Sequence, residues 1–167
     1  MASPTKAEWE KIKSDLSTPY GRAFFNCEGY LIAAIIEQDK MKLIIAVHVN
    51  GWIRGKWFWH GKEQDIDQMP EIARRFYCLK TKRPPAKRVA QDIKIFGKKR
   101  CLERGLHAAF CTALPWFNTP GSFIAHLKKH NPSIEVIDFN TYQAAQKALI
   151  PDEDNTVPAG TAGADCV

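Results

Sequence analysis

Two pairs of potential metal ligands are spaced by one helical turn in the C-terminal half of the chain. They are His107-x-x-x-Cys111 and His126-x-x-x-His130. Zinc accepts imidazole and thiolate ligands at this spacing on a helix. The two pairs share no standard joint spacing, and Cys111 lies in an apolar stretch, where a cysteine behaves as a small core residue. We interpret them as structural residues and predict no metal and no cofactor.

A cluster of carboxylates raises a second chemical possibility. Asp65, Asp67 and Glu71 are the densest acidic residues, and a metal-dependent nuclease needs two or three converging carboxylates to hold Mg²⁺. They also lie at the predicted start of a helix, where acids favour the helix dipole. The chain has no nucleophile elbow, phosphate loop, dinucleotide fingerprint or zinc-protease motif. We predict that the protein is not an enzyme and keep the nuclease as the alternative.

The strongest signal in the chain is a concentration of positive charge. Residues 80–104 hold ten Lys and Arg against two acids, a net charge of +8, whereas the rest of the chain carries −2. Clustered cations of this kind are typical of surfaces that bind phosphates or another acidic partner. The candidate binding residues are Arg83, Lys87, Arg88, Lys94, Lys98, Lys99 and Arg100.

A helix over residues 86–96 is predicted to present this charge. Lys87 and Lys94 share one face, and the opposite face carries the apolar stripe Val89, Ile93 and Phe96, which we expect to be buried. Pro85 suits the first turn and Gly97 the end of such a helix. The alternative is a solvated charged face that serves solubility alone.

A second candidate surface lies in the aromatic segment WIRGKWFW, residues 52–59. If this segment is a strand, alternation places Trp52, Arg54 and Lys56 on one face. Aromatic rings between cations are typical of surfaces that stack bases and bind phosphates. Aromatic residues are also good strand formers, so the pattern could mark only the solvent-facing side of a sheet.

The fold class indicated is α+β, with a four-stranded antiparallel meander over about residues 22–59 packed with several short helices. The strands are predicted at 22–27, 30–37, 42–49 and 52–59, and Asn50-Gly51 is a hairpin turn signal. The two middle strands are too apolar to alternate, so we expect helices to cover one face of the sheet.

Helices and one further strand follow from apolar periodicity and capping signals. Residues 1–150 are interpreted as a single domain and 151–167 as a disordered acidic tail. Residues 105–118 remain open between strand and helix. The predicted helices are 5–16, 71–79, 86–96, 123–130 and 141–149, and the additional strand is 133–138.

Composition narrows the class of protein. The 167 residues are 45% hydrophobic and 25% charged, which excludes collagen, coiled coil and wholesale disorder. Five cysteines without a C-x-x-C pair argue against a disulfide scaffold. No apolar run approaches the length of a spanning helix, and the first residues lack the apolar stretch of a signal peptide. We expect no membrane contact and a cytoplasmic location.

Several stretches together resemble a group of small proteins encoded by bacteriophages and prophages. They are AEWEKIKSDLSTPYGR, CEGYLIA, HVNGWIRGKWF, IKIFGKKR and the segment from Trp116 through Ser122-Phe123 to NPSIEVID. The similarity covers about residues 7–138. It implies a bacterial host cytoplasm and an accessory role, such as antagonism of host defence of the anti-CRISPR kind. It supplies no catalytic residues.

These observations lead to one preferred hypothesis. The chain is expected to be a non-enzymatic binding protein whose basic surface engages nucleic acid or the acidic surface of a host nucleoprotein complex. The resemblance adds the expectation that it inhibits host antiviral defence. The alternatives are the metal-dependent nuclease and an oligomeric interaction module that uses exposed aromatic residues.

Overall fold

A computed structural model describes residues 3–149, so the predicted acidic tail at 151–167 lies outside the described residues. Helices and strands of mixed order confirm the α+β class. The helices are α1 (Lys6–Asp15), α2 (Glu71–Phe76), α3 (Ala86–Phe96), α4 (Lys98–Glu103), α5 (Pro120–His130) and α6 (Phe139–Leu149). The strands are β1 (Arg22–Cys27), β2 (Tyr30–Asp39), β3 (Lys42–Val49), β4 (Trp59–Lys62), β5 (Cys78–Lys82), β6 (Phe110–Leu114), β7 (Trp116–Phe117) and β8 (Glu135–Ile137).

The first three strands form the predicted antiparallel meander. They lie in a five-stranded sheet of order β7-β3-β2-β1-β8, here called sheet A. The tight connections use Glu28, Lys40 and Asn50 with positive φ, the backbone region that hairpin turns require. Asn50 also accepts the Leu31 N–H through its side-chain oxygen at 2.9 Å, which ties this turn to the sheet.

Sheet A is buried on both faces. One face packs Phe25, Ile32 and Val47 against side chains of α1, α2 and α5. The other face packs Phe24 against Phe139 and Tyr142 of α6, with ring centroids 5.4 and 4.8 Å apart. Cover on both sides explains why β2 has no polar alternation along its length.

The predicted fourth strand of the meander is wrong. Residues 52–59 form an isolated bridge between Val49 and Trp52 and then a 3₁₀ helix at Gly55–Trp57. This bend turns Trp57 into the core, where its ring lies edge-on to Tyr77. The edge of β3 that the strand would have occupied is taken by β7 instead.

The chain then enters a second, three-stranded antiparallel sheet of order β4-β6-β5, here called sheet B. Apart from Trp59, which ends the predicted strand 52–59, its residues were left unassigned, left open between strand and helix, or assigned to a helix. The predicted helix 71–79 ends at Phe76, and Cys78–Lys82 is a strand. The ambiguous residues 105–118 supply the central strand β6 and the short β7.

Local signals at the helix ends are confirmed. The Thr5 hydroxyl accepts the Glu8 N–H while the Glu8 carboxylate accepts the Thr5 N–H, the reciprocal capping box that the sequence predicts. Two helices begin earlier than predicted: α5 begins at Pro120 rather than Phe123, after the cap Thr119, and α6 begins at Phe139 because Asp138 caps it. Within residues 3–149 we find no helix with the length and apolar character needed to cross a membrane.

Candidate nucleic-acid interface

Helix α3 displays two of the predicted cations on its outer face. It packs chiefly against α4, with Val89 and Ile93 half-buried beneath it and Lys87 and Lys94 exposed on the opposite side. The predicted buried stripe is therefore only half-buried, and its third member, Phe96, keeps 44% of its surface exposed. Because α3 is only partly buried, its cations are accessible to a partner.

The positive charge of residues 80–104 is almost uncompensated by neighbouring carboxylates. Among residues 3–149, Arg83 is the one cation of this segment with an ion-pair partner, and its contact with Glu63 spans 3.9 Å between two largely exposed side chains. Exposed pairs of this length contribute little. The acid within the helix, Asp92, faces His107 at 3.5 Å and does not neutralise the lysines.

The Asp92 carboxylate lies 3.5 Å from His107 Nε2, but this nitrogen has no hydrogen-bond partner among the described residues. Both side chains are mostly buried, and His107 lies in the turn that follows α4. His107 and Cys111 do not lie one helical turn apart, because Cys111 is in β6 with its side chain in the core, as expected for a structural cysteine.

Helix α4 continues the basic surface around a glycine hinge. Gly97 ends α3 and starts α4 with φ 78 and ψ 147, a conformation that residues with a Cβ avoid. Lys98, Lys99 and Arg100 are exposed, and Cys101 on the opposite side is buried and anchors the turn. Because α3 and α4 meet at Gly97, their exposed cations belong to two consecutive helices, here called the basic unit.

The second surface predicted from the aromatic segment does not form as expected. Trp52 is half exposed, and Arg54 and Lys56 are exposed, but the residues lie on a bend and a 3₁₀ turn, so alternation does not align them. The Arg54 guanidinium lies 5.6 Å from the Trp57 ring centroid, a contact within the segment itself. None of the three lines the groove described below.

A groove that the sequence did not reveal lies between the first turn of α3 and sheet B. Its volume is about 370 Å³, within the range of pockets that take small organic ligands. Cations and aromatic rings meet there. Its lining residues are His60, Lys82, Arg83, Pro84, Pro85, Arg88, Leu106, Phe110 and Thr112.

The aromatic part of the groove is ordered by sheet pairing. The His60 and Phe110 rings are stacked with their centroids 5.6 Å apart and their planes 10° from parallel. The His60 Nδ1 atom lies 2.8 Å from the Thr112 hydroxyl, which fixes the ring. In the sequence, the groove could have been recognised only from alternating inward and outward residues on the three short strands of sheet B. That alternation was not recognised because residues 105–118 were left open between strand and helix.

The paired histidines of α5 pack against each other and against Phe117. The rings of His126 and His130 are 4.4 Å apart, and His126 also packs on Phe117. Burial, together with the nearby charge of His130, lowers the pKa of His126 to about 4. Within residues 3–149, no three His, Cys, Asp or Glu side chains converge where they could hold a metal ion.

Two of the three carboxylates of the nuclease alternative interact with different arginines. Glu71 accepts a hydrogen bond from Arg75 at 3.3 Å, and Asp67, almost fully exposed, lies 4.0 Å from Arg74. Asp65 lies on the 3₁₀ helix Glu63–Gln68. The structure does not bring the three together, so the geometry gives the nuclease reading no support.

Comparison with protein-family models, with curated proteins and with solved structures finds no match for this chain.

Proposed function

We propose that this chain is a non-enzymatic nucleic-acid-binding protein, with the basic unit of α3 and α4 as its electrostatic surface. The observation that supports this most strongly is the set of exposed cations that lack carboxylate partners among residues 3–149. They are Lys87, Arg88, Lys94, Lys98, Lys99 and Arg100.

The physical driving force would be neutralisation of phosphates and release of their counterions. A cation already paired with a carboxylate gains little from a phosphate, because one favourable contact replaces another. The lysines and arginines of α3 and α4 begin without such partners within the described residues and keep their full attraction for a polyanion. Helix α3 packs against α4 and keeps these cations at the protein surface.

The same charge would also attract an acidic protein surface. The groove beside α3 favours nucleic acid, because it adds two exposed aromatic rings to three cations, and rings of this kind stack on bases. In the narrower form suggested by the phage resemblance, the protein would inhibit a host defence complex by occupying its nucleic-acid site. That form rests on the resemblance alone.

Charge reversal on α3 tests the proposal. The double substitution Lys87→Glu and Lys94→Glu is compared with Lys11→Glu and Lys13→Glu, which makes the same change in net charge with exposed lysines of α1. We expect the α3 variant to weaken binding of a fluorescent oligonucleotide by about tenfold or more, and the α1 variant to have a much smaller effect, since local phosphate contacts outweigh net charge.

Equal effects of the two variants would show that net charge alone is responsible and would contradict a binding surface on α3. Absence of binding by the wild-type protein to DNA and RNA at low salt would contradict the proposal as a whole. Far-UV circular dichroism of both variants confirms that the fold is retained.

A further inference from the structure

Sheet B has one face in the core and one face open. Antiparallel pairing sets His60 and Lys80 opposite Thr112, and Lys82 opposite Phe110, so these five side chains share one face. The alternate residues make the other face, where Cys111 and Ala113 are buried and Trp59 and Leu79 pack on the core. Lys62 of β4 is also opposite Phe110, so pleating places two aromatic rings and three lysines on this face.

The two stacked rings lie on the accessible face of sheet B and are not part of the core. Phe110 keeps 42% of its surface exposed although it lies in the central strand of its sheet, and His60 is exposed as well. The Phe110 ring does not pack in the core, because Cys111 and Ala113 are the residues of β6 that face inward. Parallel stacking with His60 leaves ring faces available to a further planar group.

Cations lie next to the two rings, on β5 and on the segment that follows it. Lys80 and Lys82 come from the edge strand β5, and Arg83 and Arg88 from the segment that leads into α3 and from its first turns. Lys82, Arg83 and Arg88 line the same groove as the two rings, so a base stacked there would have cations near its phosphates. The groove is continuous with the basic surface of α3 through Arg88.

We infer that the groove between sheet B and α3 binds single-stranded nucleic acid, with an unpaired base stacked on the His60–Phe110 pair and its phosphates on Lys82, Arg83 and Arg88. This inference rests on the proposed function and specifies its ligand. A duplex keeps its bases paired and stacked on one another, so it offers no free ring face to this groove. Stacking on an aromatic ring accepts every base, so the groove selects for unpaired strands rather than for sequence.

The test compares two strands with equal numbers of phosphates. One is an oligothymidylate of about 12 nucleotides, a typical site size for such proteins, and the other is the same backbone with abasic sites. Electrostatic contacts treat the two alike, whereas stacking requires the base. We expect the wild-type protein to bind the oligothymidylate roughly tenfold more tightly than the abasic strand.

Paired substitutions assign that difference to the groove. Phe110→Leu keeps an apolar side chain on β6 but removes the ring, and Phe139→Leu changes a phenylalanine of nearly equal exposure, 44%, on α6. The first should abolish most of the preference for the oligothymidylate and leave affinity for a duplex unchanged. The second should leave both unchanged.

The outcomes separate this inference from the proposed function. If the protein binds neither strand at low salt, the proposed function fails. If it binds both strands equally, or if Phe110→Leu leaves the preference intact, the basic surface stands but the groove does not stack a base. Loss of duplex affinity in Phe110→Leu would also overturn the inference, since paired bases make no contact with the ring.

Discussion

His126 has a pKa that makes the stability of this protein depend on pH. Burial against Phe117 and the neighbouring His130 lowers its pKa to about 4, whereas an unfolded chain has a histidine pKa near ~6.5. Between these values the unfolded state binds the proton and the folded state does not. The stabilising effect is therefore complete above about pH 6.5 and is lost as the pH falls towards about 4.

The prediction concerns the variant His126→Gln, which cannot ionise. The wild-type melting temperature should fall more between about pH 7 and about pH 5 than that of the variant, because only the wild type carries the linkage at this site. Thermal melts followed by circular dichroism in matched buffers give both slopes. Parallel pH dependence of the two proteins would show that His126 does not couple to folding.

Some contacts of single residues could not be predicted from the sequence. Nothing in the sequence singles out Arg75, yet its guanidinium donates to Glu28 at 2.6 Å and to Asn131 at 3.0 Å and lies 5.3 Å from the Tyr30 ring. Its partners are 47 and 56 residues away along the chain. No local pattern marks contacts that only the folded chain creates.

At the scale of elements, the junction of α3 and α4 depends on the backbone freedom of one glycine. Gly97 has φ 78 and ψ 147, and a Cβ added there would meet no atom within 4 Å. The cost of a substitution is therefore confined to the backbone, which for such a conformation is of order 1–3 kcal/mol.

Gly97→Ala should lower the free energy of unfolding by about 1–3 kcal/mol, measured by urea denaturation. The matched control is Gly121→Ala in the first turn of α5, where a Cβ also meets nothing within 4 Å but φ is not positive. That control should leave stability unchanged or raise it by up to about 1 kcal/mol. Equal destabilisation by both would contradict a special role for the backbone at Gly97.

Elements with strong local signals could be predicted, and those set by tertiary packing could not. The capping box of α1, the tight turns of sheet A and the limits of α3 are encoded within a few residues. The segment 52–59 looks like a strand because it is rich in Trp and Phe, but burial of Trp57 against Tyr77 bends it away from β3. Sheet B was missed because its strands are short and far apart in sequence.

At the scale of the whole molecule, charge asymmetry was visible in the sequence and the groove beside it was not. Composition alone places +8 in residues 80–104, and the structure keeps those cations largely exposed. The two rings of the groove come from residues 60 and 110, which join only through the pairing of β4 with β6. The sequence therefore predicted the concentration of positive charge. The pair of aromatic rings beside it could be found only from the folded structure.

The most direct test of the central claim is the salt dependence of nucleic-acid binding. Fluorescence anisotropy of a labelled single strand, recorded from about 50 to about 200 mM salt, gives the slope of log association constant against log salt concentration. If about five cations contact phosphates, the account predicts a slope near −3.5, and Lys87→Glu with Lys94→Glu should make it less steep by about 1 to 2. A flat line, or no binding at the lowest salt, would contradict the account.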